Sequence, residues 1–583
     1  MKNWLKLSSF AIKFRDAFNR FPVVICWAIV GTLISLFTIE NKEVNKPFWI
    51  RIVLTFILGV SWLLSTNLLK RKSKKKTFLF YLIPTAVLGY FYFFVGEYQN
   101  GIDSESVLLF FLYFISGHSL ILVSPFVFQW NRNAFFNYIK KVFLSVARSL
   151  FFSMVLCLGV ILAILAIVNL FNVNVSDKRF FQVFVFSLGI MNTWICLADF
   201  PTETKNTSVE YTKGLEILVK YILLPLLIIY LIILYLYGAK IVINWTLPKG
   251  WVSYLVVVLS LLGFVIQILI DPIQEKDKSL IIKRFYPWFY IALLPMVVLL
   301  FVAIFRRVSE YGITERRYLV ILMALWILGM IIYMFVSKTK KVKTFITSFT
   351  IIGILISFGL WSVFSVSTRS QINQFKKVYN HIQKDQLITS SSKKRQMESV
   401  LRYLQEKNQL FQLESLLGYN PETAFQGESS WRIPEKVIDS LQINVKDDEG
   451  LSYRYFNLNE SELIIRTEGY STLKILYLND YKSEENKIAG YNFSLNEKKN
   501  IIEVKSTKGD VLDIDLNPLT QKLWALTIDH NVKQSYLTIE KEFEELEIKI
   551  IIDNISSQKE NGKFMTTHAK CYVLIREKNA KKK

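Results

Sequence analysis

"YPWFYIALLPMVVLLFVAIFRRVSEYGITERRYLV", residues 286–320, opens with an uncharged apolar run, passes through a turn with four arginines in twelve positions, and starts a second apolar run. A hydrocarbon core about 30 Å thick takes about 20 apolar residues of helix. The stretch therefore reads as one membrane crossing, a hairpin and the beginning of the next. The following turn, "KTKKVKT" at 338–344, is equally basic. A single span separates the two turns, so they face opposite sides of the bilayer, and one of them departs from the rule that cationic loops stay inside.

Outward from this stretch the pattern repeats. Apolar runs at 21–38, 48–69, 77–95, 106–128, 143–171, 180–200, 215–237, 250–270, 286–305, 318–337 and 345–366 predict about 11 spans. With 52% hydrophobic and 15% aromatic residues and a mean hydropathy of +0.32, a 583-residue chain is too apolar for a soluble protein and is expected to be a polytopic membrane bundle. The net charge of +23 is unevenly placed: residues 1–366 hold 37 Lys and Arg against 16 Asp and Glu, residues 367–583 hold 33 against 31. That distribution points to a lipid bilayer as partner and excludes nucleic acid.

Charge in the connections sets the expected orientation. The N-terminal tail and the connections at 70–76, 129–142, 201–214, 271–285 and 338–344 carry 24 cations, whereas 39–47, 96–105, 172–179, 238–249 and 306–317 carry 10. The N-terminus is expected in the cytoplasm, and an odd number of spans delivers the C-terminal half outside it. The long run at 143–171, with Arg148 inside it, and the stretch 237–254 are where a miscounted span would reverse that side. The first 20 residues read as an interfacial amphipathic helix, with Leu7, Phe10, Phe14, Ala17 and Phe21 at helical spacing among Lys2, Lys6, Lys13 and Arg15.

Much of the 306–317 turn has a structural reading. Gly312 can take the left-handed conformation that ends a helix, Thr314 can cap the next one, and Glu315 suits its first turn. The hairpin does not explain Arg306, Arg307, Arg316 and Arg317. Snorkelling to lipid phosphate, or pairing of Arg306 or Arg307 with Glu310 or Glu315, is the plain alternative. The functional one is an extracytoplasmic anion site for an anionic lipid or solute, because guanidinium forks match phosphate and carboxylate bidentately.

"LPKGWVSYLV" (247–256), residues 286–320 and "GLWSVFSVSTRSQ" (359–371) together resemble the core of the domain-of-unknown-function 4153 family of bacterial polytopic proteins, with the clear likeness over roughly 215–371. The resemblance implies a bacterial inner-membrane protein of the cell envelope and supplies no catalytic residues.

Ionisable and polar groups at bilayer depth are candidates for function. His118, beside Ser116, Gly117 and Ser119, and Asn192 form a candidate intramembrane polar site, though a lone histidine hydrogen-bonded to a neighbouring helix is commoner. Arg148 and Lys220 are expected to snorkel from span ends, and Asp199 to meet water. No inverted repeat is evident.

After Val366 the pattern changes. Residues 367–420 read as a helical stalk, with Met397, Val400, Leu401, Leu404, Leu410 and Leu413 on one stripe. From 437 to 583 the period is two, which predicts an antiparallel β sandwich or barrel with an Asn561–Gly562 turn. No nucleophile motif, phosphate loop or metal cluster appears, so no cofactor or metal is expected; Asp513 and Asp515 share a strand face but supply too few ligands for a hard cation. The functional expectation is a transporter or lipid- and anion-handling protein with an extracytoplasmic β-domain. The alternatives are a non-enzymatic sensor or scaffold binding an envelope protein and, last, a membrane-embedded transferase acting on a phosphorylated lipid.

Overall fold

The computed structural model describes residues 7–41, 46–70, 77–95, 103–201, 208–209, 211–244, 251–274, 280–384, 388–446, 452–459, 463–479, 486–497, 499–506, 510–526, 531–560 and 563–578. The chain divides into two compact units, Met1–Gln374 and Phe375–Lys583.

The first unit is a helical membrane bundle. Among the described residues nine helices are long and apolar enough to cross a membrane, and two shorter apolar helices, Phe80–Phe94 and Lys343–Leu355, occupy expected spans. The expected span at 345–366 is not one helix. At about 1.5 Å per residue the helix Lys343–Leu355 is about 20 Å long, short of a full crossing. Ser357 Oγ donates to Ile354 O at 2.6 Å, Gly359 takes φ +79°, and Ser362 Oγ accepts the Ser365 N–H at 3.1 Å as the cap of a new helix, Val363–Lys384. Hydropathy hides this break because Ile356, Phe358, Leu360, Trp361 and Val363 are apolar.

The run at 143–171 lies within one unbroken 40-residue helix, Arg132–Phe171, capped by Asn131 and ended by Asn172 at φ 50°. Among the described residues two π turns interrupt other spans, Ser187–Asn192 and Leu218–Leu223. The second precedes Pro225, whose ring lacks an N–H and crowds the carbonyl of Tyr221, so widening the turn relieves the clash. The stretch 237–254 lies partly outside the described residues.

Small residues let the helices touch, the packing mode expected where lipid tails are as apolar as the side chains. A Cβ added at Gly59 would sit 2.2 Å from Trp27 Nε1, and one at Gly117 2.4 Å from Ser61 Oγ. The indoles they admit are pinned in turn. Trp27 donates to Phe56 O at 2.9 Å and Trp62 to Tyr113 O at 3.0 Å.

Contacts also sort the connections into two ends. At one end Phe37 meets Trp49, Arg51 reaches Val95 O, Phe94 meets Phe364, and Tyr318 OH donates to Trp361 O at 2.8 Å. At the other, Trp194 donates to Phe14 O, Tyr138 meets Phe200, Lys343 Nζ donates to Phe126 O at 2.6 Å, and Arg132 grips Asp271. The basic turns 306–317 and 338–344 thus lie at opposite ends, and residues 358–371 return to the level of the first.

The second unit begins within the helix Val363–Lys384 and continues through the helix Ser391–Glu406 and short helices to Ser440, packed through Met397, Val400, Leu401, Leu404, Leu410 and Leu413, all buried. A β-rich domain follows. Strands Leu546–Glu560 and Lys563–Glu577 form a long antiparallel hairpin at the centre of a six-stranded sheet, with Thr472–Asn479 outside one and Ser452–Leu458 outside the other. A four-stranded antiparallel sheet, Lys487–Ile488 through Val511–Asp515, makes the second layer. Two short parallel pairings depart from the all-antiparallel expectation, Asn457–Leu458 with Asn531–Val532 and Ile388–Ser390 with Asn444–Lys446. The Asn561–Gly562 turn lies outside the described residues. Cys571 sits in the core with its thiol pushed up to about 12 by burial, so it stays protonated and reaches a thiol reagent only when this unit unfolds.

Candidate functional site

The arginine hairpin is built on a helix that stops hard. Helix Phe285–Tyr311 ends at Gly312, with φ 69° and ψ −176°. This is not the left-handed helical region expected for a cap but an extended positive-φ region open essentially only to glycine. The last carbonyls of a helix need donors, and side chains supply them. Gln371 Nε2 donates to Tyr311 O at 3.1 Å and Ile313 O at 3.0 Å, and Gln374 Nε2 donates to Glu310 O at 3.1 Å. Ser370 Oγ accepts the Ile313 N–H at 2.8 Å. Arg317 Nη1 donates to Gly312 O at 2.8 Å and Tyr311 O at 3.2 Å, with its guanidinium 5.5 Å from the Tyr311 ring centroid. A cation at this helix C-terminus also opposes the negative end of the dipole.

Thr314 stands at the start of helix Glu315–Val336 in extended conformation, but its side chain makes no capping bond. The expected hydroxyl cap is corrected to a backbone start, with the Tyr318 N–H on Thr314 O at 2.9 Å.

The four arginines therefore separate. Arg317 is spent on the hairpin backbone, and Arg306 pairs with Glu310 at 3.1 Å on the surface, a contact worth about 1 kcal/mol or less. Arg307 and Arg316 are exposed. Ser370, Gln371 and Gln374 were missed by sequence reasoning, because their pairing with this turn spans about sixty positions.

Gly312→Ala is expected to destabilise the bundle by about 2 kcal/mol, from strained backbone and a Cβ 3.1 Å from Gln371 Nε2. A several-degree fall in the thermal midpoint of the full-length protein in detergent checks this; an unchanged midpoint refutes the clamp.

The other candidates lie apart. His118 is exposed on helix Ser104–Val123; its Nδ1 is 2.8 Å from Phe114 O in its own helix and its ring lies against Phe114. Its neighbours Ser116 and Gly117 are the ones buried between helices. Asn192 ends the first π turn, and its Oδ1 is buried with no hydrogen bond among the described residues.

Long-range ion pairs were not foreseen. Arg148, expected to snorkel, instead meets Asp199 at 2.5 Å, and Arg132 makes a two-pronged pair with buried Asp271, at 2.7 and 3.0 Å. Lys220 pairs with Glu216 at 2.7 Å within its own helix. Among the described residues no group of three or more His, Cys, Asp or Glu could hold a metal. Asp515 accepts from Asn517 at the start of a helix.

A family model described as Domain of unknown function (DUF4153) matches residues 7–397. The chain belongs to the DUF4153 family. The match reaches well beyond the 215–371 likeness. It takes in the first helix and the whole DUF4153 bundle, and it ends within helix Ser391–Glu406, short of the β-rich domain. An uncharacterized protein of Pasteurella multocida (strain Pm70) is 22% identical over 382 residues, covering 64% of this chain and 62% of that protein. The chain thus spans about three fifths of that relative's length. No solved structure matches the chain.

Proposed function

We propose that this DUF4153 protein is a lipid- or anion-handling transporter of the bacterial inner membrane, with its N-terminus cytoplasmic and its β-rich domain extracytoplasmic. The observation that carries this reading is the pair Arg307 and Arg316, exposed on either side of a hairpin whose backbone is already satisfied by Gln371, Gln374, Ser370 and Arg317. Two guanidinium groups held on a rigid turn at a membrane boundary suit a phosphate or carboxylate, which they can take bidentately. The excess of spans over what anchoring requires favours handling of a membrane-borne or membrane-crossing solute.

A second reading has support of its own. Edge strand Thr472–Asn479 exposes Leu473, Ile475 and Tyr477 on one face, a surface on which a scaffold or sensor could receive an envelope protein.

Titration of the full-length protein in neutral detergent with a short-chain phosphatidic acid separates these readings. Arg307→Gln and Arg316→Gln are each expected to weaken binding about tenfold, equivalent to about 1.4 kcal/mol, while Arg306→Gln changes it little. Uniform tolerance across the three would return the arginines to snorkelling and favour the scaffold.

A further inference from the structure

A groove of about 750 Å³ opens on the side of the bundle between helices Pro22–Glu40, Arg132–Phe171 and Asp177–Phe186. Its walls are apolar: Leu36 on the first helix, Val160 and Ile164 on the second, Val183 and Phe186 on the third. From Leu156 to Ile167 the second helix rises about 16 Å, roughly half of a 30 Å hydrocarbon core, so the groove has the depth of one leaflet. Beyond Ser187 at its deep end, Gly189 of the π turn lies against Thr32, where an added Cβ would stand 2.1 Å from Oγ1, so the helices touch there.

Apart from the Ser187 hydroxyl, polar side chains line only the other end. Arg179 and Gln182 are gathered on the Glu40 carboxylate, with Arg179 Nη1 at 3.0 Å, Arg179 Nη2 at 3.2 Å and Gln182 Nε2 at 2.9 Å. Arg179 Nη1 also donates to Gln182 Oε1 at 2.8 Å, and Lys178 Nζ donates to Glu40 O at 3.0 Å. Glu40 belongs to the hairpin end of the bundle, through Phe37 and Trp49.

We propose that this groove seats one acyl chain of a phospholipid from that leaflet, with the lipid phosphate at Lys178 and Arg179. A transmembrane helix from a second copy or another protein would leave the cations and carboxylate at the polar end without a matching charged group, because such a segment is apolar along its length. An extended peptide would leave backbone N–H and C=O groups unpaired against apolar walls, at several kcal/mol each. A soluble anion has no use for the walls, whereas an amphiphile with a long apolar tail and one polar end matches both parts. Lys178 has ammonium protons beyond the one given to Glu40 O, and a phosphate can take them. The inference rests on the bundle lying in a bilayer but not on the arginine hairpin.

Native mass spectrometry of the full-length protein, extracted into detergent from palmitoyl-oleoyl phosphatidylcholine and phosphatidylglycerol vesicles, tests it. Wild type is expected to retain one phospholipid. Val160→Trp fills the groove and should lower the retained fraction about tenfold. Ile232→Trp, on an exposed apolar position of helix Leu224–Asn244, and Arg307→Gln should both leave it unchanged, the latter separating this site from the hairpin. If Val160→Trp is not monodisperse, Ile164→Phe replaces it with the same expectation. A wild type that retains no lipid, groove variants that retain it fully, or equal loss in Ile232→Trp would each overturn the proposal.

Discussion

Asn500→Ala lowers the stability of the β-rich domain by about 3 kcal/mol or more, a loss in the range reserved for buried polar networks. Asn500 is 1% exposed and joins the two sheet layers. Its Oδ1 accepts from Thr566 N at 2.9 Å and Thr566 Oγ1 at 2.7 Å, and its Nδ2 donates to Asn517 Oδ1 at 3.0 Å and Thr520 Oγ1 at 3.2 Å. Alanine leaves the Thr566 N–H buried without a partner, and it must also hold φ 54°, where asparagine is far better tolerated. The Cys571 thiol reports the result, since it is buried in the same sheet. Pulse labelling of Cys571 in urea should show the midpoint falling by about 1 to 3 M, given a slope of about 1–3 kcal/mol per molar. An unchanged midpoint would show that the network does not hold the layers together.

Arg132→Met is expected to cost about 3 kcal/mol, because it removes the two-pronged guanidinium contact from the buried Asp271 carboxylate. The Asp271 side chain is 10% exposed and that of Arg132 38%, so the two partners are not equivalent. Removing the carboxylate with Asp271→Asn leaves a guanidinium that still reaches water and should cost about half as much. The double variant Arg132→Met, Asp271→Leu should recover most of the loss, since a buried pair is costly to break and cheap to replace by apolar groups. Thermal midpoints of the four proteins in one detergent decide the matter. Additive losses in the double variant would mean that the two groups act independently.

Local rules carried the sequence reading wherever the determinant lay within a few residues. Apolar runs of about 20 marked the spans, the period of two marked strands such as His568–Glu577, and glycine at 312 marked a positive φ. What failed was set by distant partners. Nothing beside Arg148 announces Asp199, nothing beside Arg132 announces Asp271, and the amide donors of Gln371 and Gln374 that help close the 306–317 hairpin come from a helix beyond the next two. Polarity at mid-span marked His118, but only packing shows that Gly117, not His118, faces a neighbouring helix. The break at 356–362 and the π turns at 187–192 and 218–223 lie inside runs that stay apolar on average, so hydropathy alone does not mark them.

Accessibility of engineered thiols tests the central claim, that a bilayer-spanning bundle separates the two basic turns and finishes on the 306–317 side. In spheroplasts treated with a membrane-impermeant maleimide, Ser309→Cys and Lys541→Cys should label without permeabilisation, and Lys338→Cys only after it. Labelling of Ser309→Cys and Lys338→Cys together would remove the crossing between the turns. Protection of Lys541→Cys beside a labelled Ser309→Cys would place the β-rich domain in the cytoplasm and contradict the account.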